Sequence, residues 1–84
     1  SEKPEARLEL WPNPASHYVK VRLPGAPRQQ QTVILTDLIG TEIFRKVSRD
    51  EVLEINVAHF RPGIYLVRVI TAQESWSSSF VRIQ

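Results

Sequence analysis

At 84 residues the chain is a single domain, and folding at this size buries only roughly 60% of the surface that the unfolded chain exposes, so a thin core and no deep catalytic cavity are expected. There are no cysteines, which excludes a disulfide framework and a thiolate metal site, and the 11 basic and 9 acidic residues are interleaved to a net charge of +2, which excludes a polybasic stripe for nucleic acid. No apolar stretch approaches the roughly 20 residues needed to span a bilayer.

Ser1 to Ala6 is polar, contains Pro4 and has no signal-peptide core, so residues 1–6 read as a linker stub and residues 7–84 as the domain. In an exported protein, the inner-membrane signal is expected upstream on a larger precursor. Leu10-Trp11-Pro12-Asn13-Pro14-Ala15-Ser16 joins a β-forming stretch to a rigid turn at Pro12, Asn13 and Pro14. From His17 to Leu23 the residues His17, Val19, Val21 and Leu23 alternate with Tyr18, Lys20 and Arg22, the pattern of a half-buried strand ended by Pro24-Gly25-Ala26-Pro27. Gln29-Gln30-Gln31 reads as a loop tip or the solvated start of the next strand, Thr32 to Thr36.

Asp37 and Gly40 occupy the first and fourth positions of a type I turn, which predicts a hairpin returning along Glu42 to Val47. A second turn at Ser48-Arg49-Asp50-Glu51 precedes a strand in which Leu53, Ile55 and Val57 alternate with Glu54 and Asn56. Pro62-Gly63 has the composition of a type II turn, and the following strand, Ile64 to Thr71, is apolar on both faces and therefore expected at the centre of a sheet. In the last run Trp76 and Phe80 share one face, whereas Val81 and Ile83 lie on the other, which suggests a bulge or bend.

About seven short strands, with turn signals every ~8 to 12 residues and no helix, define an all-β fold: an antiparallel two-sheet immunoglobulin-like β-sandwich. Val19, Val21, Leu53, Ile55, Tyr65, Val67 and Val69 are its expected core, with Pro62-Gly63 at a turn. The Cys…Trp…Cys hallmark of antibody domains is absent.

Chemistry-bearing patterns are sparse. His17 and His59 have no partner at ligand spacing and read as surface residues, so no metal site is expected. No serine sits in a nucleophile elbow, Asp37 and Asp50 are explained by turns, and the three glycines form no phosphate loop, so neither an enzyme nor a cofactor is expected. Tyr18, Lys20 and Arg22 share a wet face, which the near-neutral charge reads as an ordinary exposed strand. Trp76 and Phe80 can be read as an aromatic platform for a sugar or as core residues.

Four motifs in order, Pro-Asn-Pro-Ala at 12–15, Asp-Leu-x-Gly at 37–40, Pro-Gly-x-Tyr-x-Val at 62–67 and the tail Phe80-Val81-Arg82-Ile83-Gln84, resemble the type A C-terminal sorting domain of Bacteroidetes cargo proteins exported by the type IX, or Por, secretion system. The resemblance covers nearly everything after Arg7. Trp11, His17 and Phe60 depart from it in size or charge, and Arg82 stands where lysine is frequent, with a different donor geometry.

The resemblance implies a signal domain that performs no reaction itself. An N-terminal cargo crosses the inner membrane, folds in the periplasm and is recognised through this domain by the outer-membrane translocon. A sortase-like cysteine peptidase then removes the domain, with the cargo attached to the cell surface or released. The residues expected to meet the translocon are Pro62, Gly63, Tyr65, Val67, Phe80, Val81, Arg82, Ile83 and Gln84. The bent terminal segment Trp76 to Ile83 is also expected to present an unpaired edge, through which the isolated domain could form a homodimer. The alternative readings are an immunoglobulin-like module that binds polysaccharide or protein at the cell surface, and a structural spacer in a surface fibre.

Overall fold

A computed structural model describes residues 6–84, and it is built from strands and loops alone. The strands are β1 (Ala6–Arg7), β2 (Glu9–Trp11), β3 (Tyr18–Arg22), β4 (Gln31–Thr36), β5 (Glu42–Ser48), β6 (Val52–Asn56), β7 (Gly63–Ile70) and β8 (Ser75–Arg82). In each of β3, β4, β6 and β7 every second residue is buried: Val19 and Val21, Gln31, Val33 and Leu35, Leu53 and Ile55, and Tyr65, Val67 and Val69.

The strands form a five-stranded sheet in the order β1-β8-β7-β4-β5 and a three-stranded sheet in the order β2-β3-β6. Val19 and Val21 of β3 and Leu53 and Ile55 of β6 share one buried cluster with Val33 and Leu35 of β4, Val67 and Val69 of β7, and Trp76 and Phe80 of β8. The two sheets therefore face each other as a sandwich, and all seven residues expected in the core lie in it. β7 is central, between β8 and β4, as its two apolar faces imply.

The strand count exceeds the expected seven because the N-terminal segment divides between the sheets. Ala6, the last residue of the expected stub, and Arg7 pair in parallel with Trp76 and Ser77, whereas Glu9 to Trp11 pair antiparallel with β3 in the other sheet. The rest of the stub lies outside the described residues. At the crossing, buried Leu8 donates its N–H to Ser78 Oγ at 2.8 Å and accepts from the same hydroxyl at 3.0 Å, so one serine satisfies the main chain where strand pairing lapses.

Three local expectations are corrected. β8 shows no bulge: its register with β7 runs unbroken from Ile70↔Ser75 to Gly63↔Arg82, because Trp76 and Phe80 simply occupy the inner face of a strand whose outer face is also partly apolar. The irregularity lies instead between Leu35 and Thr36, opposite Phe44 and Glu42. Pro62-Gly63 is not a type II turn, since Gly63 has a positive φ of +155°, far from the roughly +80° of that turn, and opens β7; the hydrogen-bonded turn precedes it, with Phe60 N–H donating to the Val57 carbonyl at 3.0 Å. Gln31 is buried rather than solvated, and its Oε1 accepts the Gly25 N–H at 3.0 Å.

The hairpin at Asp37 forms as expected. Asp37 Oδ1 accepts from the N–H groups of Ile39 and Thr41 at 3.1 and 2.8 Å, the Gly40 N–H reaches the Asp37 carbonyl at 3.1 Å, and Gly40 takes a left-handed φ of +90°.

Candidate functional site

Three of the four motifs meet around the end of β8. Within the Pro12-Asn13-Pro14 segment, whose two X–Pro bonds are cis, Asn13 Oδ1 accepts the Val81 N–H at 3.0 Å. Ala15 then donates its N–H to the Val81 carbonyl at 2.8 Å and accepts the Ile83 N–H at 2.8 Å, a parallel bridge across from Arg82. The Pro-Asn-Pro-Ala motif thus holds the outer edge of the tail while β7 holds the inner one.

Arg82 fixes a third segment. Its side chain is buried, with 8% exposure, and Nε donates to the Val57 carbonyl at 2.9 Å while the two Nη groups reach the carbonyls of Ala58 and Ile83. A planar guanidinium can address several carbonyls at once, so this residue clamps the turn at 57–60 onto the tail.

The Tyr of the Pro-Gly-x-Tyr motif secures the same end from the core side. Tyr65 O–H donates to the Arg61 carbonyl at 2.5 Å, an arrangement like the tyrosine corner of immunoglobulin-like sandwiches, and its ring lies 5.3 Å from Phe60 and 5.7 Å from Phe80 between ring centroids. Tyr65 must bury its ring and still satisfy its hydroxyl. The chain preceding β7 supplies the acceptor.

The residues expected to meet a translocon therefore divide. Tyr65, Val67 and Phe80 are core residues and Arg82 is buried, whereas Pro62, Gly63, Val81, Ile83 and Gln84 are exposed. Val81 lies across from Ile64 on the outer face of the five-stranded sheet. β8 lies inside its sheet, paired with β7 along its length and with β1 and Ala15 near its two ends, so the Trp76 to Ile83 segment is not the edge strand expected to pair with a second copy; the edges are β1 and β5 in one sheet and β2 and β6 in the other. β5 carries exposed Glu42, Arg45 and Lys46, charges that oppose edge-to-edge pairing.

The structure adds a feature beyond that expected set. Leu38 and Ile39, at 72% and 89% exposure, form the tip of the Asp37 hairpin and share a shallow cleft of about 340 Å³ with Arg61, Pro62 and Ile64. The sequence carried a signal for this in the two aliphatics at the centre of a turn, where polar residues are the rule.

Elsewhere, Arg45 donates to Glu42 at 2.8 and 3.0 Å, and these hydrogen bonds, followed by the charge attraction, hold the Glu42 carboxyl below its ordinary range. The group is fully exposed and belongs to the edge strand, far in register from the tail. Trp76 and Phe80, 8% and 1% exposed, point inward and leave no aromatic platform for a sugar.

Three of the four motifs are thus spent on securing the C-terminal strand of the sandwich. The profile of the secretion system C-terminal sorting domain matches residues 9–84, and the chain belongs to that family. Among curated proteins none matches the chain. Membership makes this a type IX sorting signal domain, of a family that is not catalytic and whose tail directs an N-terminally fused cargo to the outer membrane and cell surface.

Proposed function

We propose that the folded domain is an address read by the outer-membrane translocon from the periplasmic side and then discarded. The family match across 9–84 carries this reading, and the convergence of its motifs on one end of the sandwich supports it. Pro62, Gly63, Val81, Ile83 and Gln84 present the outward surface of that end. Tyr65, Val67, Phe80 and Arg82 act from beneath, by holding the exposed residues in place. A sortase-like cysteine peptidase cuts upstream of the domain, and the cargo is attached to the cell surface or released; the domain is a substrate in that step and performs no reaction. A preformed rigid surface suits a label that must be recognised whatever cargo precedes it.

The test is a reporter carrying its own inner-membrane signal and fused upstream of residues 1–84, expressed in a cell with a type IX system. Surface-exposed or released reporter, lost when the domain is omitted, is the expected result. Equal periplasmic retention with and without the domain would overturn the reading.

A further inference from the structure

We infer that the polar cleft at the outer edge of β8, around Ser79, is a binding site for an acidic sugar, a pyranose that carries a carboxylate beside hydroxyl groups. The inference goes beyond the sorting reading and stands apart from it.

The cleft exists because one segment leaves the edge of β8 and comes back. β1 pairs with β8 as far as Arg7↔Ser77, the chain then crosses to β2 in the other sheet, and the Pro12-Asn13-Pro14 segment returns Ala15 to its bridge with Arg82. Between these two attachments lies an open cleft of about 450 Å³, with Arg7, Leu10, Asn13 and Ser79 in its lining. Val81 turns its N–H to Asn13 and its carbonyl to Ala15, both away from β7. Strand geometry repeats every second residue, so Ser79 turns its own N–H and carbonyl to the same side, into the cleft, where no described residue bonds to them.

The polar groups left to a ligand are mostly donors. Ser78 Oγ is committed to the main chain of Leu8. Asn13 Oδ1 is committed to the Val81 N–H, which fixes the amide and leaves Nδ2 to donate elsewhere. Arg7 makes no ion pair with a described residue, no carboxylate stands among the lining residues, and neighbouring Glu9 is held by Arg22 at 3.0 Å. The unmatched charge is positive. An oxyanion complements Arg7, the Asn13 amide and the Ser79 N–H, a hydroxyl complements the Ser79 carbonyl, and Leu10 offers an apolar wall to ring C–H groups. A sugar acid supplies all three on one small ring.

Other occupants match less of this arrangement. The open edge from Ser77 to Val81 measures about 13 Å, whereas a strand of common length needs about 17–20 Å, and β1 and Ala15 close the two ends. An acidic side chain of a partner protein brings acceptors alone and leaves the Ser79 carbonyl unmatched. A neutral sugar leaves Arg7 unmatched, and an inorganic anion has no face to set against Leu10.

The experiment is a nuclear magnetic resonance titration of the 84-residue chain with sodium glucuronate, glucose, sodium phosphate and a triglutamate peptide at matched ionic strength. Glucuronate is expected to give saturable shifts of the Ser79 amide and the Asn13 side-chain amide, with the other three probes at least about tenfold weaker. Arg7→Gln weakens glucuronate about tenfold, the loss of one charge-assisted hydrogen bond. Asn13→Asp keeps an acceptor for Val81 but replaces the donor by a negative charge, and it abolishes binding. Arg28→Gln, an arginine outside the cleft, leaves the affinity unchanged. All three variants keep the parental thermal midpoint; where Asn13→Asp lowers it, Arg7→Gln alone decides. No saturable shift with glucuronate, or an equal loss with Arg28→Gln, overturns the inference. Phosphate bound as tightly as glucuronate overturns it in favour of an adventitious ion only, triglutamate bound as tightly assigns the cleft to a protein carboxylate, and glucose bound as tightly removes the role of Arg7.

Discussion

Arg82 donates from Nε to the carbonyl of Val57 at 2.9 Å, joining the penultimate turn of the chain to its last strand across 25 residues of sequence. The guanidinium also reaches Ala58 and Ile83, so a cation at a position that reads as a basic tail is in fact a buried structural clamp. Arg82→Ala leaves these carbonyls without their donor, which costs about 2–3 kcal/mol for hydrogen bonds to a charged group. Arg82→Lys keeps the charge but replaces a fork by a point and is expected to recover only part of the loss. Urea midpoints of the three domains check this, and equal midpoints for Arg82 and Lys would refute the clamp.

Tyr65→Phe isolates the hydroxyl from the ring. The contacts with Phe60 and Phe80 persist, while the bond to the Arg61 carbonyl is lost, at a cost of about 1 kcal/mol. For a domain of this size that corresponds to a fall in thermal midpoint of roughly 4–8 °C. A scanning calorimetry trace unchanged from the parent would mean that the hydroxyl contributes nothing to the corner.

Much of the sandwich was legible because its information is local. Alternation at Val19, Val21, Leu53 and Ile55 names a buried face without knowledge of the partner strand, and Asp37 with Gly40 specifies a turn from four residues. The parallel contacts of Arg7 with Ser77 and of Ala15 with Arg82 carry no such mark, since they join segments about 70 residues apart through short stretches with no period. Arg82 misled for a related reason: a terminal basic residue between two aliphatics resembles an exposed handle, and only the position of the turn at 57–60 reveals the two acceptors, Val57 and Ala58, that wait for it there. The exposed tip at Leu38 and Ile39 was masked by the turn that carries it, because turn chemistry at Asp37 and Gly40 explains the motif without asking what stands between them.

Two glycine substitutions should destabilise for different reasons. At Gly40 a Cβ meets nothing within 4 Å, so the cost of Gly40→Ala is conformational, about 1–2 kcal/mol for a left-handed φ of +90°. Around Gly25 a Cβ falls 2.7 Å from Gln31 Cδ and 2.8 Å from Gln29 Oε1, and the polar ends that would have to move are those accepting the N–H groups of Gly25 and Ala26. Gly40→Asn should recover part of the loss at the hairpin because asparagine tolerates the left-handed region, whereas Gly25→Asn should be no better than Gly25→Ala. Denaturant titrations of the four variants distinguish the two causes.

The tail itself is where stability and recognition are hardest to separate. Deleting residues 80–84 removes Phe80, 1% exposed and stacked on Tyr65, and truncation of a buried Phe alone costs about 3–5 kcal/mol. It also removes the Arg82 clamp and the strand held by Asn13 and Ala15, so the sum approaches the roughly 5–15 kcal/mol that holds a small domain together. The truncated domain is therefore expected to be unfolded, and a cargo stranded in the periplasm by that deletion reports a missing fold. Val81→Ser/Ile83→Ser is the informative change: both side chains are exposed, at 38% and 45%, and the hydrogen bonds around them come from the main chain. This pair is expected to lower export while near-ultraviolet circular dichroism and the cooperative melt stay those of the parent. Parental export by the folded double variant would remove Val81 and Ile83 from the recognised surface and leave the tail a purely structural strand.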